Sequence, residues 1–140
     1  MILYNVVNTE MPSINQQKVS EWVREVAASY QRHVGDINFI FVDDEEILRV
    51  NRQFIGHDYY TDHIGFDYSS GTTISGDIYI GVDTVLTNSQ KLSCAYIEEL
   101  HRVIIHGVLH LCGIDDKGPG ERAIMEAAED KALKLWKNSI

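Results

Sequence analysis

The segment HGVLHLCGIDD, residues 106 to 116, places His106 and His110 at i and i+4 and follows them with a glycine and two aspartates. Residues at that spacing share one face of a helix, with β-carbons roughly 5–6 Å apart, so both imidazoles reach a single divalent cation. A catalytic zinc typically takes three protein donors and leaves its fourth position to water, so two histidines call for a third partner. Gly113 is the natural helix stop because it has no β-carbon to oppose the left-handed conformation. The reversal there carries Asp115 or Asp116 back over the histidine face. Val103, Ile104, Ile105, Val108, Leu109 and Leu111 make the surroundings apolar, and two unpaired imidazoles are costly in such a setting. Cys112 lies two residues after His110; at ~100° per residue it points largely away from the histidine face, which disfavours a thiolate ligand. His101 on the same helix receives no assignment.

A metal with an open position supports hydrolysis, and the surrounding residues limit which kind. Zinc peptidases of the HExxH type carry a glutamate base directly after the first histidine; here that position is Gly107, which argues against proteolysis. Any base comes from elsewhere. Asp62 is a candidate, either as the base itself or as a carboxylate that steadies a metal-binding histidine through its second ring nitrogen. Thr61, Glu98 and Glu99 are open to the same supporting role or to plain solvent exposure. His63, beside Asp62, reads first as a partly exposed ring at a strand end.

These groups must be positioned by a scaffold, and the 140 residues are enough for one domain, with a 44% hydrophobic content that supplies a single core. Residues 2–8 read as a strand. Ser13 with Gln16 makes a capping box for a helix whose apolar positions Val19, Trp22, Val23, Val26, Ala27 and Tyr30 step by three and four. Residues 37–44 form a buried strand ending in acids that cap a helix through Ile47, Leu48, Val50, Asn51 and Phe54. Further strands follow at 62–68 and 74–83, the latter with Ile74, Ile78 and Ile80 on one face and Asp77 and Tyr79 on the other, and then a short helix. The histidine helix spans about 93–112, with Tyr96, Ile97, Leu100, Val103, Ile104, Val108 and Leu111 as its stripe. A last helix, about 119–136, begins with Pro119 in its first turn and turns Ile124, Ala128, Leu135 and Trp136 inward. The expected class is α+β, a four-stranded mixed sheet packed with about five helices, with the metal site at the end of the HxxxH helix.

No stretch approaches the ~20 apolar residues of a membrane span, and the N-terminus lacks the features of a signal peptide. The expectation is a cytoplasmic protein, with Cys94 and Cys112 as reduced thiols. A formal charge of −9 opposes any broad electrostatic grip on nucleic acid; no DNA or membrane partner is expected. An RNA substrate requires uneven charge, and Lys18, Arg24, Arg32, Arg49 and Arg52 are the cations that could share a face.

HGVLHLCGIDD resembles the signature HGxLHLxGxDH of the YbeY family of bacterial metal-dependent endoribonucleases, matching it at His106, Gly107, Leu109, His110, Leu111, Gly113 and Asp115. TDHIGF, from Thr61, resembles the family's TDVLSF strand, GDIYI, from Gly76, its GDIxI strand, and Asn51, Phe54 and Asp58 fit its NxxFRxxD segment. The resemblance covers nearly the whole chain in the family's order. It implies a compact α+β fold and a single-strand-specific endoribonuclease of ribosomal RNA, acting in maturation of the small-subunit 3′ end and in ribosome quality control. Ribosomal RNA and the small subunit are the implied partners.

Two departures stand out. Asp116 occupies the position of the family's third metal-binding histidine, so the implied set is His106, His110 and Asp116 around one zinc ion, with Mn²⁺, Fe²⁺ or Ni²⁺ as alternatives. Asp115 is then a bracing residue of the loop. Ile55 stands where the family has an arginine suited to gripping phosphate, which leaves Arg52, one turn earlier, and His57 as substitutes for substrate binding. Beside the nuclease stand two other readings: a ribosome assembly factor with a structural metal, and a metallohydrolase of another substrate class.

Overall fold

The computed structural model describes residues 1–57, 61–115 and 118–138, so Asp58 and Asp116 lie outside the described residues. Four strands, β1 (Ile2–Val7), β2 (His33–Val42), β3 (His63–Asp67) and β4 (Thr73–Gly81), form one sheet in the order β1-β2-β4-β3. The β1–β2 and β2–β4 pairs are parallel and β3 is antiparallel to β4, the mixed sheet expected from the sequence. The described helices are α1 (Gln16–Ser29), α2 (Asp44–Val50), α3 (Val82–Lys91), α4 (Tyr96–Leu111) and α5 (Glu121–Asn138), with a π-helical turn at Asn51–Ile55.

Local chemistry sets the boundaries. Asn15, rather than Ser13, caps α1, its side chain accepting from the Lys18 N–H at 3.0 Å, and Val19, Trp22, Val23, Val26 and Ala27 are buried as the spacing requires. Asp43 caps α2 by accepting from the Glu46 N–H at 2.9 Å. β2 begins at His33, ahead of the apolar run, because His33 and Val34 pair with Thr73 and Ile74 before a register shift toward Ile37. Gly113 ends α4 with φ +98°. Pro119 lies ahead of α5, separated from it by Gly120 at φ +79°.

The sheet divides two cores. Ile37, Phe39, Phe41, Ile74, Ile78 and Ile80 pack under α1, α4 and α5, whereas Ile40, Val42 and Ile64 meet Ile47 and Val50 of α2 on the other face. On α4 the buried stripe includes Leu100, Val103, Ile104, Val108 and Leu111. Ile97 and Ile124 depart from the expected inward facing: they are 36% and 61% exposed, Ile97 because it lines the open cleft between α4 and α5. Among the described residues no helix is long and apolar enough to cross a membrane.

His101 belongs to the packing. It is 7% exposed, with its ring centroid 4.1 Å from Trp136 and 5.9 Å from Trp22. Trp22 donates from its indole N–H to the Ala132 carbonyl at 2.7 Å, and Lys18 Nζ lies 4.1 Å above the Trp136 ring. Burial, aided by the Lys18 charge, lowers the His101 pKa to about 4. The folded protein therefore binds fewer protons at this ring than the unfolded chain, so its stabilising contribution is complete above the ordinary histidine value of about 6.5 and is lost as pH falls through about 4. Chemical denaturation at pH 7 and pH 4 should show roughly 2–3 kcal/mol of acid destabilisation from this group, and His101→Phe should remove that component.

Candidate metal centre

Three histidines from two elements converge. The antiparallel register sets His63 of β3 opposite Ile80 of β4, and Ile80 faces the helical core, so His63 is carried toward α4. There its ring centroid lies 4.4 Å from that of His106 and 6.0 Å from that of His110. One coordinating atom from each of His63, His106 and His110 lies within 4.8 Å of the others, a group able to hold a metal ion. Nε2 of His106 and Nε2 of His110 are 3.0 Å apart, slightly closer than the ~3.3 Å edge of a tetrahedron with metal–nitrogen bonds of 2.0–2.1 Å.

Carboxylates orient the rings. His63 Nδ1 lies 2.8 Å from Asp62 Oδ1, and His106 Nδ1 lies 2.6 Å from Glu129 Oε2 of α5. With the Nδ1 proton bonded to a carboxylate, each of these rings presents Nε2 as its donor. Glu129 is held in turn by Arg102, whose Nη1 donates to its second oxygen at 2.8 Å while Nη2 donates to Asp130 at 2.8 Å. Burial acts to raise the Glu129 pKa, but the hydrogen bonds from His106 and Arg102 outweigh it and hold the carboxyl below its ordinary value. Asp62 behaves alike: burial opposes, and the His63 bond and the nearby His63 and His106 charges hold it down. The donor set, three imidazoles with carboxylates behind two of them, fits a borderline ion such as Zn²⁺.

The centre opens into a cleft of about 900 Å³ between α4 and α5, lined among others by Asp62, His63, Glu99, His106 and Glu129. Arg52 and His57 do not line it. Both are exposed, and Arg52 borders a separate cavity with Glu45, Glu46 and Arg49. Of the cations that could share a face, Arg49 and Arg52 border one cavity on the α2 side of the sheet, whereas Lys18 lies over Trp136 beside α5. Asp115 is exposed. Gly107 serves packing, since a β-carbon there would come within 2.9 Å of Ile78. Cys112 is buried, away from the cluster, and burial raises its thiol to about 11.

Sequence reasoning missed the roles of Glu129 and His63. Glu129 had a signal: it sits in the buried stripe Met125, Ala128, Glu129, Ala132, where an acid is out of place unless it is paired. His63 had only a parity signal, opposite in facing to Ile64 and Phe66, which becomes informative once the pairing with β4 is known.

A family profile described as Endoribonuclease YbeY matches residues 5–137. The chain belongs to the YbeY endoribonuclease family. A YbeY endoribonuclease of Bacteroides fragilis is 56% identical over 136 residues, covering 97% of this chain and 98% of the relative. One from Phocaeicola vulgatus is 57% identical over 135 residues, with 96% and 98% covered. The solution structure of TM1509 from Thermotoga maritima aligns with a TM-score of 0.68 at 26% identity, covering 99% of this chain and 93% of that one. Membership makes this chain an endoribonuclease-family hydrolase with RNA as its substrate class.

Two measurements probe the centre. Glu129→Gln should weaken metal binding roughly 10–100-fold in competition with a chelator, the usual loss when a carboxylate behind a ligating histidine is neutralised; unchanged affinity would remove Glu129 from the site. Gly107→Ala should destabilise the fold by about 1–3 kcal/mol in urea titration, because the added methyl must displace the fully buried Ile78 from its place against α4.

Proposed function

We propose that the protein is a cytoplasmic, single-strand-specific metallo-endoribonuclease acting on ribosomal RNA in small-subunit 3′-end maturation and quality control. The observation that carries the catalytic part is the convergence of His63, His106 and His110, two of them braced by carboxylates, at the mouth of a cleft. His106 and His110 hold one ion, zinc by preference for three nitrogens. The third donor is His63, already within reach, with Asp116 as the other candidate. Bound there, the metal supplies Lewis acidity toward a phosphate oxygen and a lowered pKa for a coordinated water.

The chain's own residues do the rest. Asp62 and Glu129 fix the imidazoles and offset the positive charge behind them. Arg102 is committed to Glu129 and Asp130, so its charge supports the ligands more than it grips substrate. Arg122 and Lys137 border the cleft and are the cations an RNA backbone meets on entering. Ile55, 41% exposed, provides no phosphate grip where the family has arginine; Arg52 and His57 remain candidates for RNA contacts outside the cleft.

The decisive experiment measures zinc content and cleavage of single-stranded and duplex RNA by the wild type, His63→Ala, His110→Ala and Asp116→Ala. The expected result is zinc-dependent cleavage of single strands, abolished with loss of metal in His63→Ala and His110→Ala and largely retained in Asp116→Ala. Loss of metal in Asp116→Ala with retention in His63→Ala would move the third donor to the loop. Bound metal with no cleavage by the wild type would favour an assembly role.

A further inference from the structure

Glu99 lies on α4 seven residues before His106, two turns along the same helix face and about 10 Å of axial rise away. It is 7% exposed yet lines the cleft that holds the histidine cluster. The other described acids of this centre have partners: Asp62 bonds His63, and Glu129 bonds His106 and Arg102. No described residue gives the Glu99 carboxyl a hydrogen bond or ion pair. Among the described residues no fully buried side-chain oxygen lacks a partner, so the Glu99 carboxyl oxygens reach the cleft, where a bound substrate meets them, and nothing in the packing of α4 requires an acid at this position.

The groups facing Glu99 explain its state. Burial raises its pKa, the Asp62 charge on the β3 side and the Glu129 charge on α5 raise it further, and Arg102 on its own helix opposes them.

We propose that Glu99 is the general acid of phosphodiester hydrolysis, donating its proton to the leaving sugar oxygen of an RNA strand lying along the α4–α5 cleft. The assignment rests on the endoribonuclease reading and extends it to a group that spacing alone left open. In the step, the bond from phosphorus to the water oxygen forms as the bond to the leaving sugar oxygen breaks. Glu99 protonates that oxygen, giving a free hydroxyl, and regains a proton from the one the attacking water loses. One water is consumed, and the products are a phosphate monoester end and a hydroxyl end.

The test compares metal-loaded wild type, Glu99→Gln and Glu99→Asp for metal content, thermal stability and kcat against pH. The substrates are a single-stranded RNA oligonucleotide and an aryl phosphodiester whose nitrophenolate leaving group needs no proton. Glu99→Gln should keep its metal and melt no lower than wild type, because the Glu99 carboxyl makes no hydrogen bond or ion pair with a described residue for the substitution to break. Its kcat on RNA should fall roughly 10²–10⁴-fold with KM little changed, and the alkaline limb of the RNA profile should disappear. On the aryl substrate it should match wild type, and Glu99→Asp should recover part of the RNA rate. Infrared difference spectra should show a protonated-carboxyl band in wild type that Glu99→Gln lacks. RNA cleavage by Glu99→Gln at the wild-type rate, equal losses on both substrates, or loss of metal from that variant would each overturn the assignment. Wild type that hydrolyses the aryl ester but not RNA would instead overturn the endoribonuclease reading, and this role with it.

Discussion

Two hydrogen bonds from imidazoles to carboxylates, His63 to Asp62 and His106 to Glu129, constrain the rest of the structure. A histidine side chain is useful to a metal only if one ring nitrogen is aimed at it with its lone pair available, and the opposite nitrogen is the natural place from which to aim it. Each bond fixes a tautomer, turns a ring and puts a negative charge behind it. Glu129 is nearly buried, a position unfavourable for a carboxylate by itself; the bonds donated by Arg102 and His106 compensate by occupying both of its oxygens. The same arrangement ties α5 to α4, so forming the site and docking the last helix are one event.

The elements that meet here are far apart in the chain, and each is placed by a different rule. β3 is paired with β4 alone, and the register that sets His63 opposite Ile80 puts His63 on the sheet face that α4 covers. α4 approaches closely because Gly107 leaves room for Ile78. Across the sheet, α2 covers only Ile40, Val42 and Ile64, and the guanidinium of Arg49 lies on that side with its charge spent on Glu46. The sheet thus separates the face that carries the histidine cluster from Arg49 of α2.

Much of this was legible from residues. The HxxxH spacing, the glycine stop, the apolar stripe of α4 and the alternation in β4 each depend on local periodicity, and all appear in the fold. Helix ends were less legible: the cap moved from Ser13 to Asn15, and Pro119 fell outside α5, because neighbouring residues of similar capping ability compete and geometry decides. The inward placement of Ile97 and Ile124 failed because helical periodicity states which residues share a face but not whether another element covers it. Glu129 and His63 were missed for a related reason. Their importance lies in pairs separated by tens of residues, His106 with Glu129 and His63 with Ile80, which no window on the sequence contains.

The substitution at Asp116 takes on a different sense once His63 is seen beside the HxxxH pair. An aspartate in place of a loop histidine would put an anionic oxygen on the metal, lowering its effective charge and raising the pKa of any water it binds. A histidine supplied by β3 keeps three neutral nitrogens and so keeps the acidity that phosphodiester hydrolysis uses. It also moves the third donor from a loop to a strand whose backbone is tied to β4, with the Gly81 N–H donating to the Asp62 carbonyl at 3.0 Å. A donor on a paired strand reaches its place with less entropy to lose than one on a loop.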